Sequence, residues 1–198
     1  MRRVLPVAAA AACALAAVVP ANAARRLPYS RTLLVVGDSL TVGTQPYLPH
    51  FLPGWRIRQD VSVSKQVTEG PAALRRFGRR LPRVIFVNLA TNGDPRGVGV
   101  FLRALRQVMH IAGRHRCVVW STIVRPSVGG ASYRTLNRVL RQQGTKRHNL
   151  IVFKWSALAA RHPSWFGPDH VHVTASAYRV RARAMASDIR RCRTIAIR

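Results

Sequence analysis

The feature that most constrains this chain is an alternation. Five short runs read as strands, at residues 33–36, 55–63, 84–89, 117–120 and 150–153, all but the second of them mainly apolar, and are separated by stretches with helical spacing. Leu33-Leu34-Val35-Val36 and Val84-Ile85-Phe86-Val87 carry no polar residue, so each reads as a strand buried on both faces. Between them, residues 41–47 read as a short helix broken by Pro46 and Pro49, and a helix capped by Thr68 runs to Arg80. Residues 99–111 place Phe101, Leu102, Leu105, Val108 and Met109 on one helical face. Residues 133–141 read as a further helix, residues 160–173 as a loop, and a Thr174-capped helix ends near Arg191. Strands alternating with helices predict βαβ units. The expected fold class is α/β, a three-layer α/β/α domain around a central parallel sheet of about five strands. No internal repeat, linker or Gly-rich phosphate loop interrupts the pattern.

The first apolar run ends at Gly37-Asp38-Ser39-Leu40 and so delivers a serine to the turn after a buried strand. Ligands of open α/β sheets sit at the carboxyl ends of the strands. A serine there needs a base to activate it and a third group to orient the base. The loop after the fifth run supplies both in Asp169-His170-Val171-His172. A spacing of three lets Asp169 reach the His172 ring, leaving Ser39 as nucleophile. His170 competes for the role of base, but it adjoins Asp169 directly and is expected to point away. The histidines and cysteines lack the spacing of a metal site, so neither a metal nor a cofactor is expected.

Gly37-Asp38-Ser39-Leu40 resembles the first motif of the SGNH, or GDSL, hydrolases, and Asp169-x-x-His172 resembles their last. Ala90-Thr91-Asn92-Gly93 is similar to the Gly-x-Asn motif, with Ala90 where glycine is usual. The resemblance implies a flavodoxin-like fold, a serine ester hydrolase over residues 24–198, and catalysis by Ser39, His172 and Asp169. It also implies an oxyanion hole made of the Ser39 N–H, the Asn92 amide and a backbone N–H that falls on Ser64, again where glycine is usual. Residues 118–126, Asn137 and the D-x-x-H-x-T ending also resemble the SGNH domains of polysaccharide O-acetyltransferases. Acyl transfer to a cell-envelope polysaccharide is therefore the alternative chemistry. Trp165 and Phe166 are candidates to line an acyl pocket or simply to pack, and Arg125 to border the site.

Charge and targeting bound the surroundings. Lys and Arg number 33 against 6 Asp and Glu, a formal net charge of +27. Such a field attracts polyanions. An anionic cell envelope is the expected electrostatic partner rather than a specific nucleic acid, because aromatic residues for base stacking are few at 7%. A non-catalytic polyanion-binding protein is the remaining alternative. The enzyme reading predicts a monomer acting on a small-molecule or glycan ester. Met1-Arg2-Arg3, the apolar Val4 to Val19 and Ala21-Asn22-Ala23 read as a signal peptide cut after Ala23, hence a secreted or extracytoplasmic protein. Export permits a disulfide between Cys117, at a strand start, and Cys192, past a helix end. In a parallel α/β sheet those two positions share the edge opposite Ser39.

Overall fold

The computed structural model describes residues 31–192. The expected signal peptide lies outside the described residues. Strands β1 (Thr32–Gly37), β2 (Arg56–Val61), β3 (Val84–Asn88), β4 (Cys117–Ser121) and β5 (Leu150–Phe153) form one sheet in the order β2-β1-β3-β4-β5. Every pairing is parallel. This is the flavodoxin-like order of a doubly wound sheet. Strands β1, β3 and β4 are almost wholly buried, whereas the edge strand β2 is half-exposed, in keeping with its Arg and Gln residues.

Alternation along each strand divides the core into two layers. Leu34, Val36, Ile85, Val87 and Trp120 face one side. There they meet Phe101, Leu105 and Val108 of α4 (Val98–Ala112) and Leu136 and Leu140 of α5 (Arg134–Lys146). Leu33, Val35, Phe86, Val119 and Phe153 face the other side. They pack on Ala177, Met185 and Ile189 of α7 (Ala175–Arg191), with Leu48 and Leu52. The three-layer α/β/α fold expected from the sequence is therefore the observed one.

Local boundaries differ from expectation at three places. Helix α1 (Ser39–Thr44) starts at Ser39 itself, because Asp38 caps it. Gln66 rather than Thr68 opens the next helical segment. It forms a capping box with Glu69 over a 3₁₀ turn, and α3 (Gly70–Arg75) follows. Two further short helices, α2 (Leu48–Phe51) and α6 (Trp155–Ala159), lie in stretches too short to show helical periodicity.

A disulfide joins Cys117 to Cys192 with Cα atoms 5.7 Å apart, tying the start of β4 to the end of α7. The bond closes a separation of 75 residues. In the chain-entropy account such a loop is worth about 4 kcal/mol. The Cys117→Ala/Cys192→Ala variant is expected to lose about 2–5 kcal/mol in denaturant unfolding. Two alkylatable thiols in the unreduced, denatured protein would contradict the bond.

Candidate functional site

The order β2-β1-β3 places the switch point of the sheet at the carboxyl ends of β1 and β3. At the end of β1, Gly37 is required by close approach: a Cβ there would stand 2.0 Å from Thr41 Oγ1. Asp38 follows, fully buried, and accepts from the Leu40 N–H at 3.1 Å. This N-cap fixes the first turn of α1 and sets Ser39 at its first position. The Ser39 N–H is one of the donors that a helix start leaves without an intrahelical acceptor.

Ser39 Oγ lies 2.8 Å from His172 Nε2. His172 Nδ1 lies 2.5 Å from Asp169 Oδ2. The other Asp169 oxygen accepts from the backbone N–H groups of Val171 and His172, each at 3.0 Å. The His172 hydrogen bond, joined by these amides, lowers the Asp169 pKa to about 2 although the carboxylate is half-exposed. A depressed carboxylate pKa means that the contact is intact above the ordinary titration range near 3.8. It is lost as pH falls towards 2. His170 has φ +54°, and its ring borders a neighbouring hollow rather than the Ser39 cleft.

A cleft of about 350 Å³ collects Ser39, Ser64, Asn92, Arg125, Asp169 and His172. The expected triad and oxyanion-hole residues and Arg125 thus lie on this one face, each following a strand or in the loop beyond α6. Ser64 and Ala90 both occupy the left-handed region, with φ +60° and +86°. They are the two positions where the family motifs carry glycine, so the chain keeps the glycine conformation with a Cβ present. Among the described residues the Ser64 N–H has no acceptor, while its carbonyl accepts from Gln66 Nε2 at 3.0 Å. The Ser64 turn is anchored beside it by Asp60. Burial alone would raise the Asp60 pKa, but hydrogen bonds from Lys65 and Arg76 outweigh burial and lower it.

Asn92 is oriented by Arg125, whose Nη1 donates to Asn92 Oδ1 at 3.3 Å and to the Thr91 carbonyl at 2.8 Å. The Asn92 Nδ2 donor is turned away from that guanidinium and reaches only the Lys65 carbonyl, at 3.4 Å. Tyr133 Oη donates to the Gly93 carbonyl at 2.7 Å. The Asn137 side chain pairs with both backbone groups of Ile123, holding the segment that carries Arg125. Trp165 and Phe166 do not line the cleft. Trp165 stacks between Trp155 and His162, and Phe166 borders the hollows beyond Arg125 and Pro126. Among the described residues, no group of three or more His, Cys, Asp or Glu is placed to hold a metal ion.

Sequence reading missed a buried network beneath Ser39. Asn88 Nδ2 donates to Asp38 Oδ1 at 2.6 Å, and Arg181 Nη2 donates to Asn88 Oδ1 at 2.7 Å. Arg181 Nη1 donates to Thr44 Oγ1 at 2.7 Å. The guanidinium lies over the rings of Trp155 and Phe153, at 5.1 and 5.7 Å from their centroids. Burial raises the Asp38 pKa, against the Thr91 hydroxyl and the Arg181 charge, and burial lowers that of Arg181 to about 10. The signal was present in the sequence: Arg181 lies four residues from both Ala177 and Met185, on the apolar stripe of its helix.

No family model matches the chain, and no curated protein sequence matches it. Solved structures do match. The C-terminal catalytic domain of Streptococcus pneumoniae peptidoglycan O-acetyltransferase A is 18% identical, with a TM-score of 0.67 over 83% of this chain and 93% of that one. A lipolytic protein of the G-D-S-L family from Veillonella parvula is 16% identical, with a TM-score of 0.62 over 79% and 95%. A family 3 carbohydrate esterase from Clostridium thermocellum is 14% identical, with a TM-score of 0.64 over 83% and 98%. The chain therefore has the SGNH/GDSL hydrolase fold, shared with esterases and an acetyltransferase.

Two outcomes test this geometry. Arg181→Met strands a buried carboxylate and is expected to cost about 3–5 kcal/mol in denaturant unfolding. Ala90→Gly relieves a left-handed alanine worth about 1–2 kcal/mol, less the entropy of a freer unfolded chain, about 0.4–1 kcal/mol. A small rise in melting temperature is expected, and a fall would show that Ala90 is not strained.

Proposed function

We propose that the protein is a secreted serine ester hydrolase that works through an acyl-enzyme on Ser39. The observation that carries this reading is the continuous contact Ser39–His172–Asp169, set in a cleft that also holds Ser64 and Asn92. In the proposed mechanism His172 Nε2 takes the Ser39 proton as Oγ attacks the ester carbonyl. Asp169 holds the ring in the tautomer with Nδ1 protonated and stabilises the imidazolium. The N–H groups of Ser39 and Ser64 and the Asn92 amide receive the oxyanion. His172 then protonates the leaving alcohol. A second acceptor, activated by His172 in turn, attacks the acyl-enzyme and releases Ser39.

The substrate class that suits the site is a short acyl ester on a sugar. The cleft is small, at about 350 Å³, Trp165 and Phe166 stand outside it, and Arg125 and Ser127 give it polar lining. Two proteins of the same fold are named for peptidoglycan O-acetylation and for carbohydrate esters. Water as second acceptor gives hydrolysis, and a sugar hydroxyl gives the acyl transfer suggested by the first of these likenesses.

Purified protein is expected to react with a fluorophosphonate probe and to hydrolyse nitrophenyl acetate faster than long-chain nitrophenyl esters. Ser39→Ala is expected to abolish labelling and to cut turnover by several orders of magnitude with the fold intact. His172→Ala should match it and His170→Ala should be mild. Asn92→Ala should lower kcat by about 10²–10³. Full esterase activity in Ser39→Ala would overturn the mechanism. Preferential loss in His170→Ala would reassign the base, and polyanion binding without serine reactivity would favour a non-catalytic protein.

A further inference from the structure

A second cleft of about 770 Å³, larger than the one at Ser39, lies elsewhere on the described residues. It runs along the outer edge of β5, between the end of α5 and the end of α7, and shares no lining residue with the Ser39 cleft. Its walls carry Arg141, Lys146, Arg147, His148, Lys154 and Arg191. Leu150, Ile151 and Val152 line it between them.

The distribution of carboxylates makes this groove unusual. The whole chain has 6 Asp and Glu side chains, and all lie among the described residues. Asp38 is buried under Ser39, Asp60 is held by Lys65 and Arg76, and Asp94 by Arg96. Asp169 is held by His172, and Glu69 accepts from the Gln66 N–H in its capping box. Asp188 does not line the groove but pairs with Arg191, which does. Arg147 donates to the neutral Gln143. The side chains of Arg141, Lys146 and Lys154 are exposed and form no ion pair among the described residues.

We propose that this groove binds a linear anionic glycan, a sugar polymer bearing carboxylate or phosphate groups. A chain with repeated charges meets several of these cations at once, which a single small anion does not. The half-buried Val152 of β5 gives the groove an aliphatic contact for the C–H face of a sugar ring. No Phe, Tyr or Trp lines the groove, so nucleic-acid bases would find no ring to stack on.

The test compares two triple variants of equal charge. One removes groove cations, Arg141→Gln/Lys146→Gln/Lys154→Gln. The other removes exposed arginines elsewhere, Arg79→Gln/Arg103→Gln/Arg106→Gln. Binding is measured by titration with polygalacturonate, polyphosphate and oligothymidylate across a range of salt concentrations. The first two probes separate a carboxylate source from a phosphate source. The groove variant is expected to lose about tenfold or more in affinity for at least one of them, with a flatter salt dependence. The control variant is expected to lose less than about threefold. Equal losses in both variants, or wild-type protein preferring oligothymidylate to both other polymers, would overturn the proposal. If the groove triple melts early, Lys146→Gln and Lys154→Gln made singly give the same comparison. The readout needs no turnover: Ser39→Ala is expected to bind like wild type, so failure here and failure of the ester hydrolase reading are seen separately.

Discussion

The Arg181 guanidinium is fully buried, and its surroundings make that tolerable. A bare cation in the interior would cost several kcal/mol. Asn88 and Thr44 accept its hydrogen bonds, two aromatic rings lie against it, and Asp38 supplies the opposite charge through the Asn88 amide. The polar partners come from β3, from α1 and from the turn before α1, and the rings from β5 and α6. One side chain of α7 therefore holds together the elements that present Ser39. The arrangement also gives Asp38 a double duty, since the carboxylate that caps α1 is the one that answers the buried arginine.

The two left-handed residues show a different compromise. At Ser64 and Ala90 the backbone takes the path that glycine takes at no steric cost, and the chain accepts a side chain there instead. The surroundings over-determine both places. Asp60, Lys65 and Gln66 brace the first, while Arg125 and Tyr133 hold the carbonyls of Thr91 and Gly93 just past the second. Strain at a site persists where neighbours enforce it, and one of these neighbours, Arg125, also lines the cleft.

What the sequence disclosed follows from how local each signal is. The buried strands are continuous apolar runs, so β1, β3 and β4 could be read directly. Ser39, Asp169 and His172 were legible because the first ends a strand and the other two are three residues apart. Asn92 and Ser64 came from motif likeness, and the structure brings both to the same cleft. Arg181 was hidden among 33 basic residues, where only its position on an apolar stripe sets it apart. The Gln66 cap lost to Thr68 in the sequence reading because glutamine is a poor cap by type. Its partner Glu69, three residues on, was the overlooked half of the box. Trp165 could not be assigned from sequence, since a core ring and a pocket ring look alike until their neighbours are known.

The disulfide has a mechanical consequence. Helix α7 is a rod of 17 residues, about 25 Å long at 1.5 Å per residue. Thr174, two positions after His172, caps its near end, Arg181 bolts its middle to the floor of the site, and Cys192 rivets its far end to the root of β4. A beam fixed at three points neither slides nor pivots. The loop that carries His172 therefore runs into a fixed anchor at Thr174, two residues beyond the base.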